Sequence, residues 1–149
     1  MTSSPFDLRG RHQRLTRSAT ATALAAASAL HVAWGRGSVF PYRTSTALSD
    51  NVIGSSRSPS PTACYAVACA LGSAALLTAV KPRTTTHRAA LCLIASIFAT
   101  RAAFGFAGRT DLLVPGSTSA RFRRRDRLVF SPLCAGLAAA IVTSARRTD

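Results

Sequence analysis

The sequence predicts an all-α fold, an integral membrane bundle of four transmembrane helices. Of its 149 residues, 48% are hydrophobic and 16% are charged, and the mean hydropathy is +0.20, whereas soluble domains typically contain about 25% charged residues. Apart from Arg101, every charged residue lies outside four apolar blocks. Helices without a polar stripe cannot cover the surface of a small soluble domain, so we expect these blocks to lie in hydrocarbon.

The first apolar block is residues 18–34, which follow a basic N-terminal tail of residues 1–17. Its 17 residues would extend about 26 Å as a helix, enough to cross a membrane with little tilt. The block is the weakest of the four, because Ala adds little hydropathy and His31 interrupts it. A secretory signal, with an A-x-A-like step at residues 27–29, and an organelle transit peptide are alternatives that would leave three spans.

The second block follows a long connection. Residues 35–61 are rich in Ser, Pro and Gly, which predicts an irregular loop. Residues 62–80 contain no charge and predict the second span. Residues 81–88 form a short basic turn, so the helices on either side of it should be antiparallel neighbours.

The third and fourth blocks complete the predicted membrane domain of residues 18–145. Residues 89–107 are interrupted only by Arg101, and residues 128–145 are uncharged and precede a C-terminal tail of residues 146–149. The connection between these blocks ends in a dense basic run, which we interpret as binding lipid headgroups through Arg121, Arg123, Arg124, Arg125 and Arg127.

The excess of positive charge favours membrane lipids as partners. The formal net charge is +14, from 18 Arg and one Lys against five Asp. Such a balance is also typical of nucleic-acid-binding proteins. Here, however, the basic residues form short clusters beside apolar blocks, where anionic headgroups would meet them, and we predict no nucleic-acid partner.

The four cysteines predict neither a metal site nor a disulfide framework. No pair has C-x-x-C spacing, and each lies in an apolar block, as expected of buried free thiols. The chain also lacks a Gly-rich phosphate loop, G-x-S-x-G, H-E-x-x-H and paired carboxylates. We therefore predict no metal, no cofactor and no catalytic residue.

Counting positive charges does not decide the orientation, because nine fall on each side of the predicted bundle. The first helix usually dominates and its upstream flank is rich in Arg, so we place both termini in the cytoplasm, with the protein in the cell membrane. In either orientation one membrane face gathers a candidate polar cluster of His31, Trp34, Arg101, Asp126 and Ser131.

Within this polar cluster, Arg101 is the clearest candidate for a functional residue, since a charge inside a span is costly and often functional. Alternatively, its side chain extends to the membrane surface or forms an ion pair with a purely structural role. Asp126 is the best candidate partner, with Asp50 and Asp111 as substitutes. No Asp lies inside a predicted span, which counts against a proton-coupled transporter.

The other members of the polar cluster have simpler interpretations as well. His31 is a ligand, a proton carrier or an interfacial polar residue, and Trp34 fits an aromatic-belt anchor. Ser131 with Pro132 fits the capped start of the fourth helix.

These features favour a non-enzymatic membrane protein that binds lipid or a partner, either a second copy of the chain or another membrane protein. An intramembrane enzyme or redox helper acting on a lipid-soluble substrate is an alternative, in which His31 serves as acid or base and Arg101 binds an anionic group. An oligomeric carrier or channel subunit is a further alternative, because four short spans make a poor pore alone.

Three motifs carry a resemblance to a family. The stretch L-H-V-A-W-G from Leu30 with Pro41, the pair Arg101-Ala102 with Phe106, and D-R-L-V-F-S-P-L-C from Asp126 follow one another in the chain. They resemble the L-H-x-x-W, R-A-x-G-x-F and D-x-x-x-[YF]-S-P-L-C signatures of a family of small bacterial membrane proteins of unknown function.

The resemblance covers residues 20–145, in the family's order and spacing. It implies four spans in a bacterial cell membrane, mostly of high-GC Gram-positive bacteria, and no known activity. The chain departs from the pattern at Phe104, where the family often has Gly, and at Gly105, where an acidic residue is common. This departure argues against pairing of Arg101 within its own helix.

Overall fold

The computed structural model of the chain describes residues 5–55, 60–117 and 119–146, with side chains from residue 10 onward. The described residues are all-helical and contain no strand. A 3₁₀ turn and a π-helical segment accompany six α-helices. The α-helices are α1 (Pro5–Gly35), α2 (Ser45–Val52), α3 (Pro61–Ala79), α4 (Thr85–Phe106), α5 (Ala120–Arg125) and α6 (Ser131–Ala145), the 3₁₀ turn is Thr110–Leu112 and the π-helical segment is Asp126–Phe130.

Three of the described helices are long and apolar enough to cross a membrane. They are α3, α4 and the continuous helix Ala120–Ala145, which joins α5, the π-helical segment and α6. Large apolar side chains project from all three, and Leu76, Leu93 and Leu133 are 74%, 64% and 56% exposed. Apolar surface on this scale is unfavourable in water and is matched by lipid tails, so the fold indicates a membrane location.

The four long helices pack in the order α3, α1, α6, α4. The most extensive contacts are between α1 and α3 and between α4 and α6, and α1 also packs on α6. Although only residues 80–84 join them, α3 and α4 touch sparsely. The two helices are antiparallel neighbours, but each makes its more extensive contacts with another helix, α3 with α1 and α4 with α6.

The core of the bundle combines a few large side chains with many small ones. Leu24, Leu91 and Ile141 are fully buried, and they pack with alanines of α3, α4 and α6. Small residues let helix backbones approach closely, which in lipid is a main source of helix association. All four long helices contribute to this core.

Helix α1 is longer than its apolar block. It begins at Pro5, within the segment predicted as a basic tail, and it runs beside the whole bundle. Near its start the Gln13 amide donates to the carbonyls of Thr143 and Arg146, at 3.2 and 3.3 Å. Near its end Ser28 Oγ donates to Ala68 O at 2.7 Å. Its composition of Ala, Ser, Thr and His keeps it outside the set of apolar candidate spans.

The connection predicted as an irregular loop contains α2. The Thr44 side chain caps this helix by accepting a hydrogen bond from Ala47 N at 3.1 Å. The segment then docks on α5, where Arg121 pairs with Asp50 at 3.5 Å. At Gly54, which has a φ of +74°, an added Cβ would lie 2.6 Å from the Phe122 ring.

This docking closes one end of the bundle. We call it the cap end, and it is formed by α2, the C-termini of α1 and α4 and the start of α5. The opposite end, with residues 80–84, the start of α1 and the C-terminus of α6, is the turn end.

The last helix begins eight residues before the predicted position of residue 128. Its N-cap is Ser119, which accepts from Phe122 N at 3.4 Å, so Ser131 is not a helix cap. Pro132 lacks an N–H and disfavours regular α-helical geometry in the preceding turn. The chain adopts a π-helical turn there instead, with Ser131 N donating to Asp126 O.

Candidate functional site

A buried ion pair joins α4 to the last helix at the cap end. Arg101 donates to both carboxylate oxygens of Asp126, through Nη2 to Oδ1 at 2.6 Å and through Nη1 to Oδ2 at 3.3 Å. The Asp126 side chain is 1% exposed and that of Arg101 is 26% exposed. Thr110 Oγ1 also donates to Asp126 Oδ2. The carboxylate thus accepts three hydrogen bonds, two of them from the Arg101 guanidinium, which offset its desolvation.

The π-helical segment orients Asp126. In a regular α-helix of 3.6 residues per turn, positions five apart lie on different faces. The five-residue turn between Asp126 and Ser131 brings these two side chains to the same face, toward α4. A π-helical turn of this kind is frequent at functional sites.

Gly105 leaves space for the ion pair because it has no side chain. An added Cβ at this position would overlap Ser131 Oγ and would lie 2.9 Å from both Arg101 Nη1 and Asp126 Oδ2. Ser131 is fully buried, and its hydroxyl has no hydrogen-bond partner among the described residues. Helices α4 and α6 therefore approach each other here as closely as a glycine permits.

The structure brings together three of the five residues that the sequence grouped, namely Arg101, Asp126 and Ser131. His31 and Trp34 form a separate pair on α1, with ring centroids 4.8 Å apart in an edge-to-face arrangement. The His31 ring bonds to Ala27 O at 2.8 Å through Nδ1, and Trp34 Nε1 donates to Phe40 O at 2.7 Å. In the described contacts these rings secure the end of α1 and the following loop.

Two members of the site carry no clear signal in the sequence. Gly105 stands out there only as a departure from the acidic residue common in the resembling family, and its role as a spacer follows from the geometry. Thr110 lies in a loop, in a 3₁₀ turn, and nothing in its surrounding sequence marks it as a partner of Asp126.

Asp126 lies within the continuous helix Ala120–Ala145 and not in a loop before it. It precedes the uncharged stretch of residues 128–145. Its carboxylate accepts hydrogen bonds from Arg101 and Thr110, so it is arranged to hold helices together and not to accept a substrate.

The five arginines of the basic run have different surroundings. Arg121 pairs with Asp50, and Arg125 Nη1 donates to the Tyr42 hydroxyl at 2.8 Å. The remaining three are exposed, with no ion pair among the described residues, and they are Arg123, Arg124 and Arg127. Two arginines thus hold the cap end together, and the other three are exposed and able to bind an anionic surface.

The described residues contain no group of three or more His, Cys, Asp or Glu side chains placed to hold a metal ion. All four cysteines are free thiols. Cys64 is buried, whereas Cys69 and Cys92 are exposed on the outer surfaces of their helices. The expectation that every thiol is buried in the protein is therefore wrong for these two, which face outward where lipid would surround them.

The profile of one protein family, described as "Protein of unknown function (DUF3995)", matches residues 24–141. The matched region includes the ion pair of Arg101 and Asp126 together with Gly105, Thr110 and Ser131. A comparison with curated proteins gave no match, and a comparison with solved structures gave none either.

Proposed function

Because the chain belongs to the DUF3995 family, whose description assigns no activity, we propose its function from the geometry of the cap end. The protein is a small, non-enzymatic, multi-pass protein of the bacterial cell membrane. It binds anionic lipid headgroups through Arg123, Arg124 and Arg127. The observation that carries this proposal is that these three arginines are exposed, whereas the other charged side chains of the same segment, Arg121, Arg125 and Asp126, already have partners.

The side chains next to these arginines support a lipid ligand. Leu128 and Val129, directly after the basic run, are 64% and 52% exposed. Cations followed along one helix by exposed apolar side chains match the order of headgroup and acyl chain across a leaflet. The paired Arg101 and Asp126 beneath them hold the helix in place, so the cations are presented from a rigid base.

The packing of α1 supports four spans. Helix α1 lies between α3 and α6 and contributes the fully buried Leu24 to the core that all long helices share. It also extends from the C-terminus of α6, through Gln13, to the first turns of α3, where Gly35 lies against the Tyr65 ring. If its two apolar neighbours cross the membrane, α1 has to cross with them, although its own hydropathy is lower.

A labelling experiment tests the number of spans and the orientation together. In a variant lacking the native cysteines, single Cys residues replace Arg11 and Lys81 at the turn end and Arg36 and Leu113 at the cap end. With four spans and cytoplasmic termini, a membrane-impermeant maleimide labels Arg36→Cys and Leu113→Cys in intact cells, and it labels the other two only after permeabilisation. Labelling of Arg11→Cys from the same side as Arg36→Cys would contradict a membrane-crossing α1.

The headgroup site is tested by the double substitution Arg123→Gln/Arg124→Gln. Each basic residue near an anionic surface contributes about 1 kcal/mol, so we expect phosphatidylglycerol binding to weaken about thirtyfold. Native mass spectrometry of the protein in detergent measures the bound lipid. The control, Arg36→Gln/Arg43→Gln, makes the same change of charge in the loop of the cap end and should weaken binding no more than about threefold. Equal effects of the two double variants would refute a site at the basic run.

A further inference from the structure

Two arginines at the turn end are arranged differently from those at the cap end. Arg17 of α1 and Arg88 of α4 are half-buried, and the Nε atom of each is fully buried without a hydrogen-bond partner among the described residues. A guanidinium stays charged in proteins, and its N–H groups are costly to bury unless an acceptor is present. Two such groups point to an anionic acceptor that the described residues do not supply.

Both arginines lie at the same end of the bundle. Arg88 is in the first turn of α4, and its Nη2 donates to Pro82 O in the connection between α3 and α4, at 3.5 Å. Arg17 is one helical turn after Gln13, which donates to carbonyls at the C-terminus of α6. Since α1 and α4 both pack on α6, the two arginines lie on helices at either side of it.

The charges around this end favour an anion. Arg14, Lys81 and Arg83 are exposed at the turn end. The three Asp side chains that the structure describes are all at the cap end, where each forms an ion pair. In the described part of the chain, the cations of the turn end therefore have no carboxylate to compensate them.

Exposed apolar side chains at the turn end favour a lipid as the source of the anion. Leu15 of α1 is 60% exposed, and Val80, at the end of α3, is 58% exposed. The guanidinium geometry suits the oxygens of a phosphate group. We propose that Arg17 and Arg88 bind phosphate groups at the turn end, supplied by anionic phospholipids whose acyl chains lie against the apolar surface that includes Leu15 and Val80.

The proposal is tested on the full-length protein in detergent by native mass spectrometry, with phosphatidylglycerol, phosphatidylcholine of the same acyl chains, and inorganic phosphate as ligands. We expect Arg17→Gln/Arg88→Gln to weaken phosphatidylglycerol binding about tenfold, because two charge-assisted contacts are lost. The matched control is Arg14→Gln/Arg83→Gln, which removes two exposed charges from the same end and should change binding less than about threefold.

The conservative variant Arg17→Lys/Arg88→Lys separates the contact from the charge, and it also serves if the Gln variant fails to fold. It keeps both charges but lacks the buried Nε–H, so we expect a loss of about threefold or more. Unchanged binding in the Lys variant, or equal losses in the Gln variant and its control, would overturn the site.

Two further measurements identify the source of the phosphate and distinguish this site from the headgroup site at the cap end. Displacement of phosphatidylglycerol by millimolar inorganic phosphate would overturn the lipid assignment in favour of a soluble phosphate. The site predicts that Arg123→Gln/Arg124→Gln and Arg17→Gln/Arg88→Gln each remove a different bound lipid. If one of these double variants leaves lipid binding unchanged, only the site that this variant alters is refuted.

Discussion

Replacing Gly105 by Ala is expected to lower the free energy of unfolding by about 3 kcal/mol or more, a large fraction of the stability of a small protein. The added methyl group would overlap Ser131 Oγ and would lie 2.9 Å from Arg101 Nη1 and Asp126 Oδ2. Real side chains do not tolerate such contacts, so α4 and α6 must separate or the ion pair must break. Either change costs more than the helix propensity that Ala adds, about 1 kcal/mol.

The measurement is thermal unfolding in detergent micelles, with Gly136→Ala as the control. Gly136 lies in α6, and an added Cβ there meets nothing within 4 Å. This variant should unfold at the parental temperature or slightly above it, since it gains helix propensity without a clash. Equal destabilisation by both substitutions would show that loss of a glycine, and not the close approach at Gly105, is responsible.

A second substitution examines the cause of the Gly105 effect. Ser131→Ala removes a buried hydroxyl that has no described partner, so alone it should be neutral or slightly stabilising. In the double variant Gly105→Ala/Ser131→Ala the severest overlap is gone, and we expect about half of the lost stability to return. Purely additive effects would place the clash elsewhere than between these two residues.

The three apolar spans and the partner of Arg101 could be predicted from the sequence for a simple reason. A long uncharged stretch has few alternatives to a membrane helix. An isolated Arg near the end of a span also limits its partners to the few acidic residues on the same face. The chain has five Asp in all, and only Asp126 adjoins a predicted span on that face.

The rest of the candidate site depends on contacts between distant residues, which local patterns do not contain. The π-helical turn could not be read from Ser131 and Pro132, because the same pair is equally typical of a helix start. The docking of α2 on α5 depends on Asp50 with Arg121 and on Tyr42 with Arg125, pairs that lie 71 and 83 residues apart in the sequence. The polar start of α1 is helical because it packs on α6, although its hydropathy predicts no span.

Replacing Asp126 by Ala is the second change with a large expected effect, a loss of about 3–5 kcal/mol in the free energy of unfolding. The substitution leaves the Arg101 guanidinium half-buried with no carboxylate, and it removes the acceptor of the Thr110 hydroxyl. Because 26% of the Arg101 side chain is exposed, the guanidinium can move toward the headgroups, so we expect the lower part of this range.

The control for Asp126→Ala is Asp50→Ala, which breaks the exposed ion pair with Arg121, where the side chains are 37% and 74% exposed. Surface pairs of this kind contribute about 0–1 kcal/mol, so this variant should unfold close to the parental temperature. Similar losses of stability in the two variants would mean that the buried ion pair of Asp126 contributes no more than the exposed ion pair of Asp50.

A double substitution shows whether the buried pair provides stability or specificity. Arg101→Leu/Asp126→Ala replaces two charges by apolar side chains of similar or smaller size, and such replacements are often neutral. We therefore expect it to unfold at a higher temperature than Asp126→Ala, with a coupling of about 1–3 kcal/mol between the two sites. If the double variant is stable yet no longer binds lipid at Arg123 and Arg124, then the ion pair serves to hold the helix in register, which is the role that its position between α4 and the π-helical turn favours.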